Sequence, residues 1–165
     1  MLAYFGGKFP FSYKDFTMKN LSKDYRAKLI GVSSLVRTKF ELPTTKKGLV
    51  YMGPFYFYDD ETSAEEIVRR ESDIVESVDV CYFLLDKDAA MPGTVTEIIN
   101  AALHKKIIKI FYVKEEIDIG EPEREVASPL WYPILFAQTH NAENTTVIGF
   151  DTLEEAEDAL ITDAT

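Results

Sequence analysis

The residue best suited to do chemistry in this sequence is Glu97, which lies in the first turn of a predicted helix. Before it come the continuous apolar run Val80–Leu85, typical of a strand buried on both faces, and a loop with Pro92 and Gly93. Ligands of open parallel sheets bind at the carboxyl ends of such strands. The helix dipole favours an ionised Glu97, and an ionised carboxylate at a ligand crevice can act as a nucleophile.

A structural role is the alternative interpretation of Glu97. The segment Thr94-x-x-Glu97 has the spacing of a capping box, in which the carboxylate accepts a hydrogen bond from the Thr94 backbone N–H. Caps of this kind are common, so the spacing alone favours this role. The two roles do not exclude each other.

A second carboxylate, Glu71, interrupts an apolar helix face. The clearest predicted helix is Ser63–Ser77, which opens with the capping box Ser63-x-x-Glu66. Glu71 falls on its buried stripe, and a carboxylate there is costly unless it is paired or used in a site. Glu71 is therefore either hydrogen-bonded to a neighbour at the end of the stripe or directed into the same pocket as Glu97. The stripe consists of Ile67, Ile74, Val75 and Val78.

Two glycines follow the first predicted strand, Leu2–Phe5. Gly6-Gly7 predicts either a plain tight turn or a point where the backbone approaches a ligand closely. Lys8 and Ser12 could meet an anion there, although a lone lysine is more often solvated. The segment contains neither a dinucleotide-binding fingerprint nor a P-loop.

The hydrophobic pattern of the whole chain predicts strands that alternate with helices. Such a pattern is typical of a three-layer α/β domain with a parallel sheet. The predicted strands are Leu2–Phe5, Leu49–Met52, Val80–Leu85, Ile107–Val113 and Thr145–Phe150. The predicted helices are Lys23–Ile30, Ser33–Phe40, Ser63–Ser77, one that starts at Thr94, Ser128–Gln138 with a disturbance at Pro133, and Asp151–Ile161.

Length, charge and cysteine content exclude several classes of protein. The chain has 165 residues and is 46% hydrophobic, which fits one domain with a sizeable core. A formal net charge of -10 argues against nucleic acid or an anionic membrane as a partner. No signal peptide or membrane span is predicted, and Cys81, the only cysteine, lies in a buried strand as a core residue. We therefore expect a cytoplasmic protein without disulfides, and the isolated histidines predict no metal site.

Two segments carry a resemblance to a known family. Tyr4-Phe5-Gly6-Gly7 resembles the Y-F/L-A/G-G start of the nucleoside 2-deoxyribosyltransferases, and Gly93-Thr94-Val95-Thr96-Glu97 resembles their G-T-x-x-E segment. In that family the glutamate is the nucleophile. Glu71 stands eight residues before Asp79, the spacing of the family's aspartate that assists proton transfer at the base. The resemblance covers most of residues 2–113.

The resemblance implies a fold, a reaction and an assembly. The fold is a single flavodoxin-like domain over residues 1–165, with a five-stranded parallel sheet in the order 2-1-3-4-5. Glu97 would attack C1′ of a 2′-deoxynucleoside, and a second nucleobase or water would then take the deoxyribosyl group, without a cofactor; this logic is similar to that of retaining glycosidases. Tyr4 would position the nucleophile. Members of the family are homo-oligomers whose neighbouring subunits complete the sites. Aromatic residues of this chain that lie outside the predicted core also suggest an interface between subunits. These aromatic residues are Phe55, Tyr56, Phe57, Tyr58, Trp131 and Tyr132.

The predicted site departs from the family pattern on the side of the base. Glu71 replaces the aspartate, and Ala90, Met91 and Pro92 stand where an acidic residue often precedes the glycine, so Asp86 or Asp88 would have to substitute. The predicted substrate-binding residues are Gly6, Gly7, Lys8, Phe9, Gly53, Pro54, Phe55, Gly93 and Thr94.

Three other functions remain open beside 2-deoxyribosyl transfer. The first is hydrolysis of nucleosides or their 5′-monophosphates; family members that take monophosphates carry serines and an arginine in the first loop, whereas this loop has only Lys8 and Ser12, which favours nucleosides. The second is a non-catalytic nucleotide-sensing module. The third is an NAD glycohydrolase of the Toll/interleukin-receptor type, against which the G-T-x-x-E context argues.

Overall fold

A parallel sheet forms the centre of this computed structural model, which describes residues 1–7, 49–53, 63–89, 92–120 and 128–164. Its strands pair in the order β2-β1-β3-β4-β5, and every pair is parallel. The predicted α/β class with a parallel sheet is therefore confirmed. The strands are β1 (Leu2–Gly7), β2 (Val50–Gly53), β3 (Val80–Leu85), β4 (Ile107–Val113) and β5 (Thr145–Phe150).

Strand β3 is buried along its whole length, as its unbroken apolar run predicts. All six of its residues are buried, and successive side chains point to opposite faces of the sheet. Cys81, Phe83 and Leu85 join the core on one face, whereas Tyr82 and Leu84 join the core on the other. The described chain thus has two cores separated by one sheet, which is a three-layer arrangement.

Helices cover both faces of the sheet. The described helices are α1 (Ala64–Ser77), α2 (Gly93–Leu103), α3 (Trp131–His140) and α4 (Leu153–Ala164). Helices α1, α2 and α3 contribute to the core that contains Cys81, and α4 packs on the core that contains Tyr82. The Ser63 hydroxyl caps α1 by accepting a hydrogen bond from the Glu66 backbone N–H at 3.2 Å, which confirms the predicted N-cap.

The prediction of a tight turn at Gly6-Gly7 is wrong. Both glycines belong to β1, where Gly6 pairs with Phe83 and Gly7 pairs with Leu84. Gly7 has a φ of 79°, and a Cβ there would lie 2.3 Å from the Leu84 carbonyl oxygen. A side chain is therefore excluded twice at this position, by backbone conformation and by the neighbouring strand.

Several predicted helix boundaries also move. Helix α3 begins at Trp131, not at Ser128, and ends at His140, two residues after the predicted Gln138; Pro133 is its third residue. Pro133 does not disturb the helix, because the first backbone N–H groups of a helix have no acceptor within it. Helix α4 starts two residues later and ends three residues later than predicted, so Ala164 adds a buried contact. The helices predicted at Lys23–Ile30 and Ser33–Phe40 lie outside the described residues.

Candidate active site

Tyr4 and Glu97 meet at the carboxyl side of the central strands. The Tyr4 hydroxyl donates a hydrogen bond to Glu97 Oε1 at 2.6 Å, although the two residues lie 93 positions apart. Tyr4 is 1% exposed, and its ring packs against Phe83 with centroids 6.5 Å apart. Hydrogen bonds to an ionised oxygen are short and among the strongest in proteins. This bond fixes the position of the Glu97 carboxylate.

The local sequence explains why Glu97 reaches that position. Helix α2 begins at Gly93, with Pro92 as an N-cap residue that makes no side-chain cap hydrogen bond. Thr94 is buried inside the helix and is not its N-cap, so the capping-box interpretation of Thr94 and Glu97 is wrong. The carboxylate lies one helical turn into α2 and accepts the hydrogen bond from β1. Glu97 is the fifth residue of α2, so the prediction that it lies in the first turn of the helix is wrong.

Gly6 provides the room that the carboxylate occupies. A Cβ on Gly6 would lie 2.7 Å from Glu97 Oε2 and 2.6 Å from Phe83 Cε1, both well inside van der Waals contact. A Cβ on Gly93 would lie 3.8 Å from Glu97 Oε1, which is an ordinary contact. Gly6 and Gly93 of the predicted site therefore adjoin the carboxylate, and a methyl group on Gly6 would displace it.

A cavity of about 120 Å³ lies between α1 and α2, with Glu97 in its wall. Apolar side chains and three neutral polar side chains line the rest of it. The lining residues are Val68, Ser72, Val75, Pro92, Gly93, Thr96, Glu97 and Asn100. Sequence analysis missed most of these residues. Asn100 stands three positions after Glu97, a spacing that puts two residues on one helix face, and this was the signal that could have found it.

Glu71 occupies the predicted position on α1. It stands three residues after Val68 and four before Val75, both of which line the cavity, so helical spacing puts the three on one face. The side chain of Glu71 lies outside the described part of the molecule. Its approach to Glu97 stays a prediction.

The two aspartates after β3 differ in their surroundings. Asp86 is 5% exposed, and its Oδ1 accepts a hydrogen bond from the Asp88 backbone N–H at 2.9 Å. This contact closes the turn that follows β3, a common use of aspartate in turns. The Asp88 side chain is exposed. The role of either acid at a base stays a prediction.

Other predicted binding residues are only partly described. Gly53 ends β2 and pairs with Tyr4 in the sheet, so the chain after β2 starts beside the carboxylate's hydrogen-bond donor. The predicted residues Lys8, Phe9, Pro54 and Phe55 lie outside the described residues.

Cys81 lies on β3 in register with Tyr4 and is fully buried. Burial raises the pKa of its thiol, and the charge of Glu97 raises that pKa further, while Lys106 opposes the shift. The thiol is therefore neutral, and Cys81 is a core residue, as predicted.

Within the described ranges, no cluster of His, Cys, Asp and Glu side chains has the arrangement that would hold a metal ion. None of the described helices combines the length and apolar character needed to cross a membrane.

Among solved structures, the chain is similar to the CMP N-glycosidase BcmB of Clostridium botulinum. The TM-score is 0.51, the sequence identity is 15%, and the match covers 99% of each chain. At this identity the likeness shows a shared fold. No family model matches the sequence. No curated protein matches it either.

Proposed function

We propose that this protein breaks the N-glycosidic bond of a nucleoside or nucleotide, with Glu97 as the nucleophile. The observation that carries the proposal is the 2.6 Å hydrogen bond from Tyr4 to Glu97 Oε1, in the wall of a cavity. A carboxylate held in one position beside a ligand-sized space is what attack on an anomeric carbon requires. The strand order supports the proposal, because it is the order that the family resemblance implies.

The first step is a displacement at C1′. One carboxylate oxygen of Glu97 forms a bond to C1′ while the bond between C1′ and the base nitrogen breaks. The electron pair of that bond stays on the base, which takes a proton from an acid or from water. The product is a glycosyl ester on Glu97, the counterpart of the covalent intermediate in retaining glycosidases.

The proton for the leaving base comes, in this proposal, from Glu71. The spacing of Glu71, eight residues before Asp79, is that of the base-side acid in the family that the sequence resembles, and it supports this assignment. Asp88, which is exposed in the turn after β3, is the alternative acid. A paired arrangement of acid and nucleophile lets one carboxyl group stay protonated while the other is ionised.

The second step decides between transfer and hydrolysis. If a free nucleobase attacks C1′, the ester bond breaks and a new nucleoside forms, which is 2-deoxyribosyl transfer, our first hypothesis. If water attacks, the products are the free sugar and the regenerated carboxylate. The fold shared with a CMP N-glycosidase supports hydrolysis of nucleosides or 5′-monophosphates as the second hypothesis. The net charge of -10 favours an uncharged substrate.

A substrate panel tests the proposal. The protein is incubated with 2′-deoxynucleosides, ribonucleosides and their 5′-monophosphates, each with and without a free base, and products are separated by chromatography. New nucleosides would establish transfer, and free base without an acceptor would establish hydrolysis. No reaction with any substrate would reject the proposal and favour the nucleotide-sensing module.

The covalent step has its own test. Rapid quenching of the reaction, followed by intact-protein mass spectrometry, is expected to show a mass increase of one deoxyribosyl group. Digestion should locate the group on the peptide that contains Glu97. Turnover without any adduct on that peptide would argue for direct attack of water and against a glycosyl ester.

We also propose that the active form is a homo-oligomer. In helix α3, Tyr132 is 53% exposed and stacks edge-to-face with Trp131, with ring centroids 5.7 Å apart. Exposed aromatic residues of this kind are enriched in subunit interfaces. Light scattering at micromolar concentration tests this, and an 18.8 kDa monomer with full activity would reject it.

A further inference from the structure

We infer that the cavity between α1 and α2 binds the side of the pentose that carries the 3′-hydroxyl, with Asn100 and Ser72 as its hydrogen-bonding residues. The inference rests on the proposed function, in which Glu97 attacks C1′. It adds a substrate contact that decides which sugars are accepted.

The cavity combines apolar walls with polar side chains that have hydrogen-bonding capacity to spare. Val75 is fully buried, Val68 is 62% exposed, and the side chains of Ser72 and Asn100 lie between these extremes. The Thr96 hydroxyl donates to the Pro92 carbonyl at 3.3 Å. The hydroxyl of Ser72 and the amide of Asn100 make no hydrogen bond within the described ranges. Half-buried polar groups of this kind gain most from a ligand that supplies a partner.

The size of the cavity limits which part of a nucleoside it can bind. Its volume is about 120 Å³, and an engineered apolar cavity of roughly 150 Å³ is known to bind benzene. The space therefore accommodates a single ring, and a two-ring purine base is too large for it. A pentose has the matching chemistry, because its ring carbons are apolar and its hydroxyls donate and accept hydrogen bonds.

The stereochemistry of the displacement selects the pentose over a pyrimidine base. A nucleophile and its leaving group lie on opposite faces of the carbon under attack, so the base points away from Glu97. In a β-nucleoside the 3′-hydroxyl lies on the face opposite the base, which is the face that meets the carboxylate. Side chains beside Glu97 are thus placed for the 3′-hydroxyl. Asn100 stands one turn after Glu97 on α2, and Ser72 faces it from α1.

A comparison of two substrates on matched variants tests the inference. The kcat/KM of wild type is measured for a 2′-deoxynucleoside and for the 2′,3′-dideoxynucleoside with the same base. The same pair is then measured on Asn100→Ala and Ser72→Ala. Dividing each variant's preference by that of wild type cancels the intrinsic difference in reactivity between the two sugars. Gln138→Ala, which removes an exposed amide from α3, is the matched control.

We expect each cavity variant to lose about tenfold in kcat/KM on the deoxynucleoside and little on the dideoxynucleoside, since one hydrogen bond is missing. Gln138→Ala should keep the wild-type preference. Thermal melting confirms that the variants are folded. A changed substrate preference in either folded cavity variant supports the inference. Equal losses on both sugars, or an unchanged preference in both cavity variants, would overturn the inference. Wild type inactive on every nucleoside and every 5′-monophosphate would instead reject the proposed function.

Discussion

Two tyrosine–carboxylate pairs in the described part of the molecule differ in their surroundings. On one face of the sheet, Tyr4 of β1 donates to Glu97 of α2 at 2.6 Å. On the other face, Tyr82 of β3 donates to Asp163 of α4 at 2.8 Å. Each bond joins a strand to a helix that is distant in sequence, so each ties an outer layer to the sheet.

The partners around the two carboxylates separate their roles. Asp163 is also paired with Lys109, whose ammonium lies 2.6 Å from Oδ2 and 5.6 Å from the centre of the Tyr82 ring. A carboxylate held by a cation has its charge neutralised in place, which suits anchoring of the terminal helix. Glu97 borders a cavity between two helices. The hydrogen bond from Tyr82 thus anchors a helix, whereas the hydrogen bond from Tyr4, we propose, positions a reactive carboxylate.

The largest effect should come from Glu97→Gln. The amide keeps the size of the side chain and its contact with Tyr4 but has no nucleophilic oxygen, so kcat should fall by about 10³-fold or more. Steady-state rates measure this, and circular dichroism checks the fold. The matched change on the other face, Asp163→Asn, should leave kcat within about twofold. Near-normal turnover by a folded Glu97→Gln variant would show that Glu97, like Asp163, has only a structural role.

The next largest effect should come from Gly6→Ala. The added methyl would displace the Glu97 carboxylate from its hydrogen bond, and a shift of about 1 Å at a reacting group costs on the order of a hundredfold in rate. KM should change less than kcat. Gly149→Ala is the control, because its Cβ would also meet side chains, Tyr112 and Lys114, but in β5 and away from the cavity. An equal fall of kcat in both variants would mean that Gly6→Ala acts by straining the fold and not by displacing Glu97.

A smaller effect should come from Tyr4→Phe, which keeps the ring and removes the hydroxyl. We expect kcat/KM to fall about tenfold, the lower range for a hydrogen bond to a charged group. Combined with Gly6→Ala, it should add little, because both changes break one contact and coupled residues are not additive. A double variant whose losses multiply would show that Gly6 acts independently of the Tyr4 bond.

The smallest effect should come from Lys109→Met on the opposite face. The side chains of Lys109 and Asp163 are about one-third exposed, so solvent screens their ion pair. The free energy of unfolding should therefore fall by at most about 1 kcal/mol. That corresponds to a fall of roughly 2–4 °C in the melting temperature of a domain of this size. Scanning calorimetry measures the shift while kcat stays unchanged. A fall in kcat comparable to that of Tyr4→Phe would contradict a purely structural role.

Sequence patterns predicted the last three strands of the sheet better than the first two. The bounds of β3, β4 and β5 were predicted to the residue. In the buried strand β3 the apolar run stops where the polar loop begins. The end of β1 was missed, because Gly6 and Gly7 have no side chain to show a pattern. Only their pairing with β3 shows that they belong to a strand. Similarly, the start of α2 was missed, because Pro92 gives no side-chain cap signal.

The contact between Tyr4 and Glu97 was predictable from the sequence, whereas the cavity beside it was not. Glu97 stood out through its place after a buried strand, and its contact with Tyr4 followed from the family resemblance. The cavity was not predictable, because its wall comes from two helices whose relative placement depends on how each packs on the sheet. Ser72 and Asn100 carry no local signal of that packing. The catalytic roles of all these residues remain predictions.

The position of β1 in the middle of the sheet has a consequence for the order of synthesis. Residues Ala3, Tyr4 and Phe5 leave the ribosome before either neighbouring strand, yet all three are buried between β2 and β3 in the folded chain. Their partners in β3 start at Val80, and the partner of the Tyr4 hydroxyl is residue 97. Strand β1 therefore lacks its β3 partner until that strand has been made, and nascent chains with unpaired apolar strands are prone to aggregate. The hydrogen bond that positions Glu97 forms only after helix α2 has emerged, long after the synthesis of Tyr4.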